Sequence, residues 1–313
     1  MEAGGHRRRR ALSRILPFFL LIAAGAVLTR TRILQAEGVK GLSAYVLWLG
    51  FPALLIRALG TAPPPDPAMA RGLLAYGTAA VALLGVTLLA GKVLRWPGGA
   101  RGGAAMAGVV GNTAFLGAPF AVSVFGAEAG GLAAGVIAVD FVVLMAFAMA
   151  AMQATSGAGK LRVALTRTFL NPVVAAAIVG AVLSFGRVGL PGPLARGLDM
   201  LAASASPAGL TALGAVIGLE AGRPAPGEVQ PVVTAILVKL VLMPALVWVA
   251  VTLAGAPPAF RAVAVLLAGC PTAVNVFIQA REYSDFGRGA AQVVVTATLF
   301  SALTLPLIAG WMR

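Results

Sequence analysis

Two short segments of this chain carry residues whose types and spacing point to ligand chemistry inside an otherwise apolar sequence. The first, Gly108-Val109-Val110-Gly111-Asn112-Thr113-Ala114-Phe115-Leu116-Gly117-Ala118-Pro119, places three glycines, a proline and an amide within twelve residues of a hydrophobic run. The second, Gly269-Cys270-Pro271-Thr272-Ala273-Val274-Asn275-Val276-Phe277-Ile278-Gln279, repeats the theme with Pro271 in mid-run, Asn275 four residues on and Gln279 one further turn away. Glycine and proline interrupt helices, and at membrane depth an interrupted backbone is tolerated only where it is buried in protein or lines a cavity. Restarted half-helices offer unpaired N–H groups and a positive dipole end, which suits a carboxylate or another small anion. Asn112 and Asn275 could hydrogen-bond that anion or coordinate an ion through their carbonyls, while Thr113 and Thr272 could cap the restarted half-helices. Pro119, Pro271 and Gln279 complete this candidate binding set.

Two charges add to it. Asp140 and Lys239 lie well inside apolar runs, where an ionisable side chain is costly and is a functional candidate by default. Asp140 could carry a coupling proton or ligate sodium, and Lys239 could neutralise it or attract a carboxylate. The alternative reading is a structural ion pair, or Lys239 snorkelling to an interface.

These residues need membrane-spanning elements to hold them. The chain has 313 residues, of which 59% are hydrophobic and 11% charged, with a mean hydropathy of +0.94. A soluble globular protein is about a quarter charged, so this composition describes an integral membrane protein with no large extramembrane domain. At about 20 residues per span there is room for ten helices. They fall near 15–29, 41–60, 71–91, 102–125, 130–152, 164–186, 194–219, 230–254, 260–281 and 289–311. Shifting the sequence by 155 residues aligns Pro17 with Pro172, Gly25-Ala26-Val27-Leu28 with Gly180-Ala181-Val182-Leu183, and Pro52-Ala53 with Pro207-Ala208. The expected fold is therefore all-α: a basic tail (1–14), a first five-helix repeat (15–152), a short connection (153–163) and a second repeat (164–313). Five spans per copy invert the second copy relative to the first, the geometry of alternating access around a central site.

Several function classes drop out. The only histidine is His6 and the only cysteine Cys270, so cysteine-cluster metal sites, zinc sites of the usual His-rich kind, intramolecular disulfides and His-based relays within the membrane are unavailable, and no hydrolase or nucleotide-binding motif is present. The expectation is a non-enzyme without a cofactor other than a coupling proton or sodium ion. The net charge of +14 reads as loop punctuation against lipid headgroups, with no nucleic-acid partner. Loops following odd-numbered spans hold most of the loop Lys and Arg, including Arg30, Arg32, Lys40, Lys92, Arg95 and Arg281, which puts both termini outside a cell membrane, the bacterial inner membrane. The cluster Arg7-Arg8-Arg9-Arg10 opposes that assignment.

The stretch from Gly111 to Pro119, together with Pro271-Thr272-Ala273-Val274-Asn275 followed by Ala280-Arg281-Glu282-Tyr283, resembles the two crossover segments of the auxin efflux carrier family. The resemblance covers essentially the whole chain. It implies a scaffold domain and a transport domain whose fourth and ninth helices cross at the site, with Asn112 in contact with substrate and both termini outside. It further implies efflux or exchange of small organic anions, auxin-like acids or carboxylates such as malonate, by a carrier that could pair as a homodimer. The long loop that plant members hold between spans five and six is reduced here to about 153–163. A sodium-coupled carrier of the bile-acid symporter type and a non-transporting ligand sensor are the alternatives.

Overall fold

The computed structural model describes residues 2–62, 64–156, 172–219 and 227–312, with side chains described from Leu16 onward apart from Val173 and Val174. Twelve helices are present among these residues: α1 (Glu2–Arg30), α2 (Ala36–Thr61), α3 (Pro67–Val93), α4 (Gly98–Val109), α5 (Thr113–Phe125), α6 (Ala129–Ser156), α7 (Pro172–Gly186), α8 (Gly192–Leu219), α9 (Val229–Leu253), α10 (Pro258–Ala268), α11 (Val274–Tyr283) and α12 (Gly287–Trp311). Six of them, α2, α3, α6, α8, α9 and α12, are long and apolar enough to cross a membrane. Shorter apolar stretches occur in α1 (Leu16–Arg30), α5, α7 (Ala175–Gly186) and α10. The expected connection at 153–163 is partly helical, since α6 runs to Ser156, and its remainder lies outside the described residues. The basic side chains of Arg7 to Arg10, Lys160, Arg162, Arg167 and Arg223 lie outside them as well.

Prolines shape three of these helices in the same way, while Pro17, Pro207 and Pro306 lie within uninterrupted α-helix. Proline lacks an N–H and its ring clashes with the preceding turn. In α2, α5 and α9 a five-residue π-turn (Val46–Gly50, Thr113–Gly117 and Val238–Leu242) widens the helix just before Pro52, Pro119 and Pro244, each of which then sits in the first turn of the resumed α-helix. A π-turn accommodates one extra residue and leaves the ladder open where the proline would have broken it. In α6 the π-turn Asp140–Leu144 begins at the buried acid.

The helices pack in two groups. In one, α1 runs along α8 while α2 packs against α7 and α8; in the other, α4 lies among α3, α6 and α9, and α11 packs on α12. Helices α4 and α10 are buried on nearly all sides, with Ala104 to Ala107 and Val263 to Ala268 at or near zero exposure. A helix apolar all round belongs in an interior. Both end inside the protein, and that is where the candidate site lies.

Candidate functional site

Helix α4 ends at Val109 and α5 begins at Thr113; α10 ends at Ala268 and α11 begins at Val274. The two gaps cross antiparallel. Asn112 N–H donates to the Pro271 carbonyl at 2.7 Å, Ala273 N–H donates to the Val110 carbonyl at 3.2 Å, and Gly111 pairs with Thr272 in an isolated bridge. Each break therefore satisfies backbone groups that the other has freed, which allows non-helical chain to persist where water is excluded. Thr272 adds a third tie through its hydroxyl, which donates to the Ala107 carbonyl at 2.7 Å.

This corrects the expected capping roles. Neither Thr113 nor Thr272 caps a half-helix: the residue before α5 is Asn112, the residue before α11 is Ala273, and neither makes a side-chain cap. Thr272 sits in the extended bridge, so its side chain reaches across to the facing half-helix instead of forward along its own chain. The buried Thr113 hydroxyl has no hydrogen-bond partner.

Lys239, carried by the π-turn of α9, is fully buried. Its ammonium donates to the carbonyls of Ala268 at 2.9 Å and Val109 at 3.3 Å. These are the last residues of α10 and α4, so one cation sits between the negative ends of both incoming half-helices. Glycine at 111 gives it room: a Cβ there would lie 2.9 Å from Nζ. Asp140 is buried close by and faces Lys239 and the Thr113 hydroxyl electrostatically, yet no ion pair within 4 Å joins it to Lys239. Its Oδ1 accepts a hydrogen bond from the Tyr76 hydroxyl at 2.8 Å, and its Oδ2 is unpartnered.

Of the expected residues, Asn112, Thr113, Pro271 and Thr272 thus meet at the crossing, with Asp140 and Lys239 beside them. Asn112 is buried at 4% exposure. Asn275, in the first turn of α11, lines a cavity of about 200 Å³ walled by Phe51, Phe115, Phe141, Leu47 and Ser43. Gln279 does not line that cavity, because α11 presents Asn275 and Ile278 to it and turns Gln279 aside. Pro119 lies about two turns beyond the break and serves the π-turn of α5.

Sequence reasoning missed Tyr76 and the aromatic wall. A tyrosine in an apolar run reads as an interfacial anchor, and three phenylalanines scattered over α2, α5 and α6 carry no shared spacing, although the Phe51 ring lies tilted 4.8 Å from Phe115 and edge-on 4.9 Å from Phe141, centroid to centroid. The Phe115 carbonyl also accepts from the Ser206 hydroxyl at 2.7 Å, tying α5 to α8. Replacing Tyr76 by Phe leaves both Asp140 oxygens unpartnered. It is expected to lower stability by about 1–3 kcal/mol in thermal or denaturant unfolding of the detergent-solubilised protein. Pairing it with Asp140→Asn should cost less than the sum of the two single changes; strict additivity would show that the contact contributes nothing.

Comparison with known proteins bears on this arrangement as a whole. The chain is 29% identical over 306 residues, 93% of its own length and 92% of the other's, to a Rhizobium meliloti (strain 1021) protein named "Putative malonate transporter". The family described as membrane transport protein matches residues 11–309, which include both breaks, Asp140 and Lys239. The chain belongs to that family, the auxin efflux carriers, and is a membrane transporter.

Proposed function

We propose that this protein carries a small organic anion, a carboxylate or an auxin-like acid, across the bacterial inner membrane by alternating access. The site is the crossing of the α4–α5 and α10–α11 segments, the fourth and ninth of ten spans arranged as two inverted five-helix halves. The observation that carries the proposal is the mutual pairing of two broken helices, Asn112 with Pro271 and Ala273 with Val110, directly beside a cavity. Helix starts at Thr113 and Val274 leave orphan N–H groups at the crossing, and Asn112 is buried beside them. Those groups suit a carboxylate, the chemistry for which the rhizobial relative is named.

The resident cation favours a carrier that does not need sodium. In sodium-coupled carriers, half-helix C-termini and unwound carbonyls supply sodium ligands. Here the two half-helix C-termini are already held by the Lys239 ammonium. Asp140, with one oxygen unpartnered, is the remaining group able to take up a coupling proton. The walls of the cavities contain Lys40 and Arg281, on the side of the loops rich in Lys and Arg, which is the cytoplasmic side when both termini face outward.

Asn112→Ala tests the assignment. Flux of labelled malonate and of an auxin-like monocarboxylate in proteoliposomes is expected to fall to background, while insertion, monodispersity and unfolding temperature stay close to those of the parent. Unchanged flux in both Asn112→Ala and Asn275→Ala would remove the crossing as the site, and a sodium gradient that drives uptake in the parent would overturn the assigned role of Lys239.

A further inference from the structure

The cavity beside the crossing does not stand alone. A larger one of about 600 Å³ adjoins it, and Ser43 and Ile278 line both. Each helix along this route contributes a stripe at helical spacing: Asn275, Ile278 and Arg281 on α11, and Gly209, Ala212, Val216 and Leu219 on α8. Six residues of helix put Arg281 about 9 Å from Asn275 along the α11 axis. The two chambers differ in chemistry. Among the described residues no charged side chain lines the inner one, whereas Lys40 from α2 and Arg281 from α11 line the outer one, with Glu282 on the same wall as Arg281. The remainder of the outer wall is largely apolar, including Val39, Phe277 and Leu219. A neighbouring cavity shares Phe277 and Arg281 and also contains Glu228, Asp285 and Arg288.

We propose that the outer chamber is a separate carboxylate-binding subsite, in which Lys40 and Arg281 hold the anion and the apolar wall takes its organic body before it moves along the Asn275 face to the crossing. This rests on the transport reading above and extends it. An anion entering a chamber without cations gives up hydration with nothing charged in return. A cationic mouth raises its local concentration first.

The test places a reporter where the chambers join. Ser43→Cys in the otherwise full chain, whose one native cysteine is buried, is modified with a negatively charged and a positively charged methanethiosulfonate of similar size. The ratio of anionic to cationic modification rates is expected to fall roughly tenfold when Lys40→Gln and Arg281→Gln are added. It should be retained in Lys40→Arg and lose its dependence on these residues at 1 M salt, where screening acts within about 3 Å. Malonate, used as the carboxylate probe, should slow modification of the parent reporter and do so less in the double variant. A ratio insensitive to both substitutions, or no protection by malonate in the parent reporter, overturns the subsite. These readouts need no transport, so they remain decisive even where Asn112→Ala shows the crossing reading to be wrong.

Discussion

Lys239→Met is expected to abolish flux and to destabilise the protein by about 3–5 kcal/mol, the cost of removing one member of a buried charge arrangement and leaving its partners uncompensated. The reason is geometric. Methionine fills a similar volume, but the carbonyls of Val109 and Ala268 lose their shared donor, and the negative ends of α4 and α10 then face each other with no cation between them. Asp140 simultaneously loses the positive charge it faces. Lys239→Arg should not rescue, since a planar guanidinium is larger than an ammonium and Gly111 leaves space only for the latter. Unfolding in detergent and flux in proteoliposomes measure the two effects. Adding Asp140→Asn to Lys239→Met should recover part of the lost stability, because it removes the uncompensated charge. Near-parental flux in Lys239→Met would show that the crossing does not depend on this cation.

The second large effect is expected far from the site. Gly214→Val should cost about 3 kcal/mol, the upper end of overpacking penalties, and leave little folded carrier at 37 °C. A Cβ on Gly214 would lie 1.8 Å from the backbone oxygen of Ile22, and one on Gly25 would lie 2.0 Å from that of Thr211. The obstruction is backbone in both cases, so α1 and α8 would have to separate. Separation also breaks the interhelical hydrogen bond from the Thr29 hydroxyl to the Ala215 carbonyl at 3.3 Å. Close approach over small residues is how membrane helices gain dispersion contacts, lipid tails being as apolar as leucine. Gly85→Ala on α3 is the contrasting case: nothing lies within 4 Å of its Cβ, and helix propensity predicts a gain of up to about 1 kcal/mol. Equal outcomes for Gly214→Val and Gly85→Ala in a thermal unfolding assay would contradict the packing argument.

Much of the candidate site was legible because the membrane makes polarity and helix interruption expensive. Pro271 and the glycines around Asn112 marked the breaks to within a few residues, and Asp140 and Lys239 stood out as charges in apolar runs. The same reasoning failed where a side chain's direction mattered. Thr272 was expected to cap its own helix and instead bonds to Ala107, 165 residues away. Gln279 shares a helix with Asn275 but not the cavity, and Pro119, grouped with the break, belongs to the π-turn beyond it. Tyr76 gave no sign of its bond to Asp140, since a phenol among apolar residues looks the same whether it faces an interface or a buried acid.

Taken alone, the amino-acid sequence determined that the chain lives in a membrane, roughly where its helices run, and at which points two of them cannot continue, because those properties follow from hydropathy and local backbone chemistry. Only the tertiary structure decided what completes the broken ends: each break pairs with the other, Lys239 spans the C-termini of two half-helices, and cavities line up from Asn275 to Lys40 and Arg281. Satisfying a freed carbonyl or amide inside a membrane is a long-range property, fixed by which segments the packing of small residues brings within hydrogen-bonding distance.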